Sequence, residues 1–229
     1  MRAVLFRHYG HYRSHWVALA AAMLLAGCAG IVQSMLINAA PDLFAVTFSQ
    51  YETRSEFKES VPLIRNKDWL GLTILARQKL EREPGRGPWW QIAGYGHMQL
   101  GELTVARDCF ARTTQLMPEE VSGWNLLAYS LMRLGDPASA LRAIERGIQS
   151  DPASGLSFVI LGDLHREAGR VKPALQAYER AIDIDRTDMF AWFGLGLLGK
   201  RNNDAALYER ARTNLKALHP PMAEQLEKA

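Results

Sequence analysis

Four large aromatic residues, Trp90, Trp124, Phe158 and Trp192, are equally spaced along the chain. Four positions after each stands a residue with little or no side chain: Gly94, Ala128, Gly162 and Gly196. A further glycine recurs at Gly101, Gly135 and Gly169, and a small residue at Ala106, Ala140 and Ala174. A large apolar residue follows at Phe110, Ile144 and Tyr178. Pro118, Pro152 and Pro220 close three of the blocks, and Arg186 stands in the proline's place in the other. A constant period of about 34 residues means that the chain is built from copies of one supersecondary unit. No single helix pair buries its apolar face alone, so stacked neighbours must share a continuous core.

Each recurring residue has a mechanical reason. The aromatic on the first helix is expected to pack into the second helix of its own unit. The small residues let the paired helices approach. The glycine takes the left-handed turn between them, and the proline ends the second helix. The units then run 87–120, 121–154, 155–188 and 189–222. The last is degraded: Asn203 replaces the turn glycine, Tyr208 the small residue and Arg212 the apolar one. A terminal unit with a polar outer face caps a stack on which nothing further packs. Upstream, Asp68-Trp69-Leu70-Gly71-Leu72 aligns with Glu102-Leu103-Thr104-Val105-Ala106, and Pro84 falls one period before Pro118. Residues 47–86 are therefore expected to hold a poorly matched first helix pair. Its first helix would lie near 47–64, with Pro62 cutting its end. Residues 223–229 are expected to be a tail.

The order W-x2-L-G-x2-Y, then A-x3-F, then P resembles the tetratricopeptide repeat (TPR). The resemblance implies an all-α solenoid, a right-handed superhelix of antiparallel helix pairs whose first helices line a concave face. It also implies that the fifth, ninth and thirteenth positions of each unit face that groove. These are Gln91, Tyr95 and Gln99, then Asn125, Tyr129 and Arg133, then Val159, Asp163 and Glu167, then Phe193, Leu197 and Arg201. The strip Gln91, Tyr95, Gln99, Asn125, Tyr129 and Arg133, extended by Asp163, is the candidate groove for a protein or peptide partner. Tyrosines with amides hold an extended peptide by stacking and backbone hydrogen bonds. The competing reading is that these tyrosines pack between repeats. Asn125, Arg133 and Arg166 supply only part of the carboxylate clamp that some TPR domains use, so no clamp is expected.

The first 27 residues read differently. Arg2, Arg7 and Arg13 precede an apolar run from Trp16 to Gly27, with no Asp or Glu. A basic start, an apolar stretch and small residues before a cut site describe a secretory signal peptide. Leu25-Ala26-Gly27-Cys28 resembles a bacterial lipobox, which implies cleavage before Cys28 and a diacylglycerol on its sulfur. Residues 28–46 would then be a lipidated linker. The other reading is an uncleaved helix from Trp16 to Val32. Its length is at the short edge of a bilayer span, about 17 residues. Both place the arginines inside and the repeats outside. Ala29, and not Asp, follows the cysteine, which by resemblance favours the outer membrane in a two-membrane cell.

Charge excludes one class of partner. The whole chain is formally +3, but removing three arginines with the signal segment leaves 24 Lys+Arg against 24 Asp+Glu. A neutral mature chain has no electrostatic footprint for nucleic acid. Catalytic signatures are also missing: there is no nucleophile elbow, phosphate loop, HExxH helix or CxxC pair. His97 and His165 occupy one structural slot two periods apart. Asp163 and Glu167, a helical turn apart with Arg166 between them, read as a solvated or groove face more than as an acid/base pair. Gly85-Arg86-Gly87-Pro88 is a tight linker. Cys109 reads as a small buried apolar residue, and His8, His11 and His15 belong to the signal segment. No enzyme activity, cofactor or metal is expected.

The expected function is a lipid-tethered, periplasm-facing adaptor. The lipobox with a repeat array resembles TPR lipoproteins of pilus and secretion assembly, such as the tight-adherence pilus lipoprotein and the type IV pilus pilotin. The alternative is an accessory subunit that recruits a cell-envelope polysaccharide or peptidoglycan enzyme.

Overall fold

A computed structural model describes residues 54–229; Cys28 and the rest of residues 1–53 lie outside the described residues. A single 3-10 turn at Ser55–Phe57 precedes the short α1, Ser60–Arg65. The helices α2 (Trp69–Arg82), α4 (Leu103–Leu116), α6 (Pro137–Ser150), α8 (Val171–Ile184) and α10 (Ala205–Leu218) are the second members of successive pairs. The first members are α3 (Gly87–Gln99), α5 (Val121–Arg133), α7 (Gly155–Glu167) and α9 (Met189–Arg201). The chain ends in α11, Pro220–Lys228. Within each series the helix starts are evenly spaced, without a slip in register. The described residues form a solenoid of helix pairs, and no strand occurs among them.

The turn inside each pair is set by one residue in the left-handed region. Gly101, Gly135 and Gly169 have φ of 80°, 78° and 70°. Lys67 and Asn203 hold the same slot at 55° and 56°. Glycine takes this conformation without a Cβ penalty and asparagine tolerates it; lysine does so under strain. The register thus extends back to the pair α1–α2. Pro62 does not cut the end of the first helix there. It lies in the first turn of α1, where its missing N–H would be unbonded in any case.

The small residue of each first helix faces the large residue of the second. A Cβ on Gly94 would come within 2.6 Å of the Phe110 ring, and one on Gly162 within 2.5 Å of the Tyr178 ring. Where the position is Ala128, its counterpart is the smaller Ile144, and both are fully buried. In the last unit the counterpart slot holds Arg212, which cannot enter the core. A Cβ on Gly196 would instead collide with the Leu226 side chain. Leu226 belongs to α11, so residues 223–228, expected as a tail, form a capping helix that supplies the missing apolar plug. Met222, Ala223 and Leu226 bury its inner face, while Glu227 on the outside pairs with Arg212 at 2.6 Å.

The repeated tryptophans also tie each unit to its predecessor. The indole N–H of Trp90, Trp124 and Trp192 donates to the carbonyl oxygens of Pro84, Pro118 and Arg186, each at 2.8 Å. The acceptor is backbone, which is why arginine serves as well as proline at position 186. On the other face, Arg146 and Arg180 of the second helices stack over Trp124 and Phe158. No helix among the described residues is long and apolar enough to cross a membrane.

Candidate functional site

The first helices lie side by side and are bonded at every junction. From α3 to α5, Gln91 Nε2 donates to Ser122 Oγ at 3.1 Å. From α5 to α7, Ser157 Oγ donates to Asn125 Oδ1 at 2.8 Å. From α7 to α9, Arg201 Nη1 donates to the carbonyl of Arg166 at 3.1 Å. Gln91 and Asn125 are the fifth residues of their units and are buried. Two of the three amides expected along the groove are thus committed to holding one repeat on the next.

The ninth positions Tyr95, Tyr129 and Asp163 are buried as well, and Leu197 is half-buried. Tyr95 packs edge-on against Trp69 of α2, with ring centres 5.5 Å apart. Tyr129 accepts a hydrogen bond from Arg133 Nη1 at 3.2 Å, and the guanidinium also lies over its ring. Burial, with Asp163 and Glu167 nearby, raises the Tyr129 pKa against the opposing effect of Arg133, so its hydroxyl stays protonated.

Asp163, expected on a solvated or groove face, is instead inside the third unit. Arg166 Nη2 lies 3.0 Å from its carboxylate, with the side chains only 2% and 7% exposed. The Tyr178 hydroxyl donates to the same carboxylate oxygen at 2.7 Å and accepts from Arg166 Nε at 3.1 Å. The charge pair survives burial because its groups are bonded to one another. Burial first, then Asp163, pushes the Tyr178 pKa well above its usual value, which keeps the phenol a donor. This triad was not evident as such in the sequence. The signal was a hydroxylated ring at position 178, in the slot held elsewhere by Phe110 and Ile144.

The thirteenth positions behave differently. Gln99 and Arg133 are half-buried, and Glu167 and Arg201 are exposed. They recur once per unit at the ends of the first helices. Arg133 Nε is enclosed and has no hydrogen-bond partner among the described residues. Glu167, with its side chain 41% exposed, is 3.9 Å from Arg166. Burial and Asp163 raise its pKa, while Arg166 and Arg201 pull it down.

The remaining titratable groups are tied to structure. His97 Nδ1 meets Glu102 across the turn of its own pair at 2.5 Å. Burial first, then Arg170, lowers the His165 pKa and keeps the ring neutral at pH 7, with Glu145 opposing. Burial and Asp108 push the Cys109 thiol up to about 11, so almost none of it is the nucleophilic thiolate at neutral pH. Among the described residues no group of three His, Cys, Asp or Glu side chains is placed to hold a metal ion.

Comparison with known proteins identifies the repeat. The tetratricopeptide repeat family model matches residues 93–152 and 125–188, so the helix pairs within 93–188 match tetratricopeptide repeats. A search of curated proteins gives no match. Among solved structures, a thermophilic TPR protein of Thermus thermophilus, TTC0263, aligns with a TM-score of 0.66 at 13% identity, over 75% of this chain and 95% of that one. YrrB, described as a TPR protein with an unusual peptide-binding site, aligns at 0.56 and 14% identity, over 80% and 98%. A chain of the Cut9–Hcn1 hetero-tetramer of the APC/C aligns at 0.60 and 18% identity, over 70% of this chain and 29% of that one. At such identities the likeness is one of fold.

Proposed function

We propose that this chain is a membrane-tethered TPR scaffold that holds a protein or peptide partner along the row formed by α3, α5, α7 and α9. The observation that carries this reading is the contrast along those helices. Fifth- and ninth-position residues such as Gln91, Asn125 and Tyr129 are buried, whereas Gln99, Arg133, Glu167 and Arg201 keep the period and stay reachable. Arg133 and Arg201 also bond within the array, to the Tyr129 hydroxyl and the Arg166 carbonyl, and still keep part of their side chains at the surface. The row alternates in sign at Arg133, Glu167 and Arg201, which suits an extended segment of mixed charge.

The tether in this proposal is a lipid on Cys28, with the repeats facing the periplasm and, in a two-membrane cell, the outer membrane as destination. The setting is the assembly of a pilus, secretion or outer-membrane complex, supported by the pairing of a lipobox-like tetrapeptide with a repeat array. A photo-crosslinking residue placed in turn at 99, 133 and 201, and at the second-helix position 112 as control, tests the row in the native host. The same partner crosslinked at the first three positions and not at 112 supports the reading. Equal crosslinking at all four overturns it. For the tether, wild type is compared with Cys28→Ala by membrane fractionation and intact mass. Acyl mass and loss of residues 1–27 in the wild type alone support it. Full-length, unacylated, membrane-bound protein in both refutes it.

A further inference from the structure

A notch opens at the edge of the array where successive turns meet. It lies between the start of α6, the end of α7 and the turn into α8, and has a volume of about 350 Å3. Leu141, Leu164 and Ala168 give it an apolar lining, and Arg142, His165 and Arg170 a polar one. Leu164 and His165 stand on α7, but none of these residues belongs to the fifth, ninth or thirteenth positions, so the notch is distinct from the strip that holds Gln99, Arg133, Glu167 and Arg201.

The repeat itself shows which of its features the fold does not require. The slot of Arg170 is acidic in the other four turns: Asp68, Glu102, Asp136 and Asp204. Three of those side chains accept a hydrogen bond from the third amide of the helix they precede. Position 170 is released from that duty, because Pro173 has no N–H to be capped. Even so, a cation at a helix start opposes the helix dipole. The slot of Arg142 holds Ile74 and Asp108 in the two earlier units, and Gln176 and Arg210 in the two later ones. The slot of Ala168 holds Leu100 and Leu134 in the two units before it, and Asn66 and Asn202 at the two ends of the array. Against the notch one period earlier, then, the wall residue is cut back from Leu134 to Ala168, and Asp108 and Asp136 give way to Arg142 and Arg170. Neither Arg142 nor Arg170 forms an ion pair with a described residue; Arg142 donates only to Ser139 Oγ, at 2.8 Å.

We propose that the notch is a docking site for an acidic segment of a partner protein that carries one leucine-sized side chain. That side chain sits on Leu141, Leu164 and Ala168, and carboxylates on either side of it pair with Arg142 and Arg170. A volume of about 350 Å3 is of the size that takes a small anchor. His165 stays neutral and adds a ring edge instead of a third charge.

The test uses the full chain and a fluorescein-labelled, end-blocked peptide, Glu-Asp-Leu-Asp-Glu, followed by anisotropy. Two variants import residues that the fold already carries in the equivalent slots: Ala168→Leu, and Arg142→Asp with Arg170→Asp. Both are checked for wild-type circular dichroism. Saturable binding that each variant weakens roughly tenfold or more, and that Lys-Lys-Leu-Lys-Lys does not reproduce, supports the site. No saturable binding of the acidic peptide overturns it, as does binding that both variants retain. Loss on Arg133→Glu, with both notch variants unaffected, assigns the peptide to the first-helix row and also overturns it. If phosphatidylglycerol vesicles bind in an Arg142- and Arg170-dependent way while the peptide does not, the surface meets a membrane and the proposal fails.

Discussion

The pairing of a small first-helix residue with a large second-helix residue makes a quantitative prediction at Gly94 and Phe110. A methyl group on Gly94 would lie 2.6 and 2.8 Å from two ring carbons of Phe110 and 3.0 Å from Cys109 Cβ. Phe110 is fully buried, so its ring has no open side to swing into. Overpacking of this kind costs about 3 kcal/mol at its upper end. Replacing a mid-helix glycine by alanine returns about 1 kcal/mol of propensity. Gly94→Ala should therefore destabilise by roughly 2 kcal/mol. Phe110→Ile alone leaves a partial cavity and should cost about 1–2 kcal/mol. The double variant recreates the neighbouring pair Ala128 and Ile144, in which the methyl fills the space the ring vacates. It should lie within about 1 kcal/mol of wild type, a coupling of roughly 2–3 kcal/mol. The assay is urea unfolding followed by helical circular dichroism, read only if all four proteins share one slope, since repeat arrays can lose cooperativity. Additivity to within about 0.5 kcal/mol would refute the reasoning. The glycine would then not be there to make room for the ring.

Three further predictions follow from single observations. Tyr178→Phe keeps the ring but leaves Arg166 Nε without its acceptor and removes one donor from Asp163; it should cost about 3 kcal/mol in chemical unfolding, and a loss below ~1 kcal/mol would show that the triad does not stabilise the fold. Gly135→Ala adds a Cβ that meets nothing within 4 Å, so only its φ of 78° is penalised; a loss of about 1–2 kcal/mol is expected, while Lys67→Gly at the equivalent turn should not destabilise, and an undiminished melting temperature for Gly135→Ala would contradict the assignment. Arg212 and Lys216 hold the Glu227 carboxyl below its usual range. A lowered folded pKa stabilises above the unfolded value and is lost as pH falls through the folded one. Amide protection of α11, corrected for intrinsic exchange, should therefore fall on acidification in the wild type and change less in Glu227→Gln; equal falls in both would exclude this link.

Much of the architecture was legible because the period leaves little freedom. The slots of Trp90, Gly94, Gly101 and Phe110 fix a helix, an approach distance, a turn and a second helix at once, and the structure repeats each of them. What was not legible lies where one residue type serves two environments. Gln91 and Asn125 carry polar side chains that suit an open groove and a buried junction equally well, and only the serines at 122 and 157 select the junction. Asp163 reads as a surface acid until Tyr178 and Arg166 are seen to enclose it. The helix α11 falls outside the period. Its signal was the spacing of Met222, Ala223 and Leu226 behind two prolines, together with an arginine at position 212 that left Gly196 without a partner.

That last case suggests how to read the rest of the chain. A repeat protein contains its own controls, since every slot is tested several times in nearly the same surroundings. A departure that another residue compensates, as Leu226 compensates Arg212, is explained by packing. A departure with no structural compensation asks for another cause. Asn203 in the turn slot is of the first kind, because asparagine tolerates the conformation that glycine favours. Arg170 is of the second kind. It is the one basic residue in a slot that is acidic in the other four turns, and nothing in the packing gains from it. With Arg142 beside it, where the preceding notch has Asp108 and Asp136, that departure is what a requirement for an acidic segment imposes on an array whose fold would be served equally well by Asp at position 170.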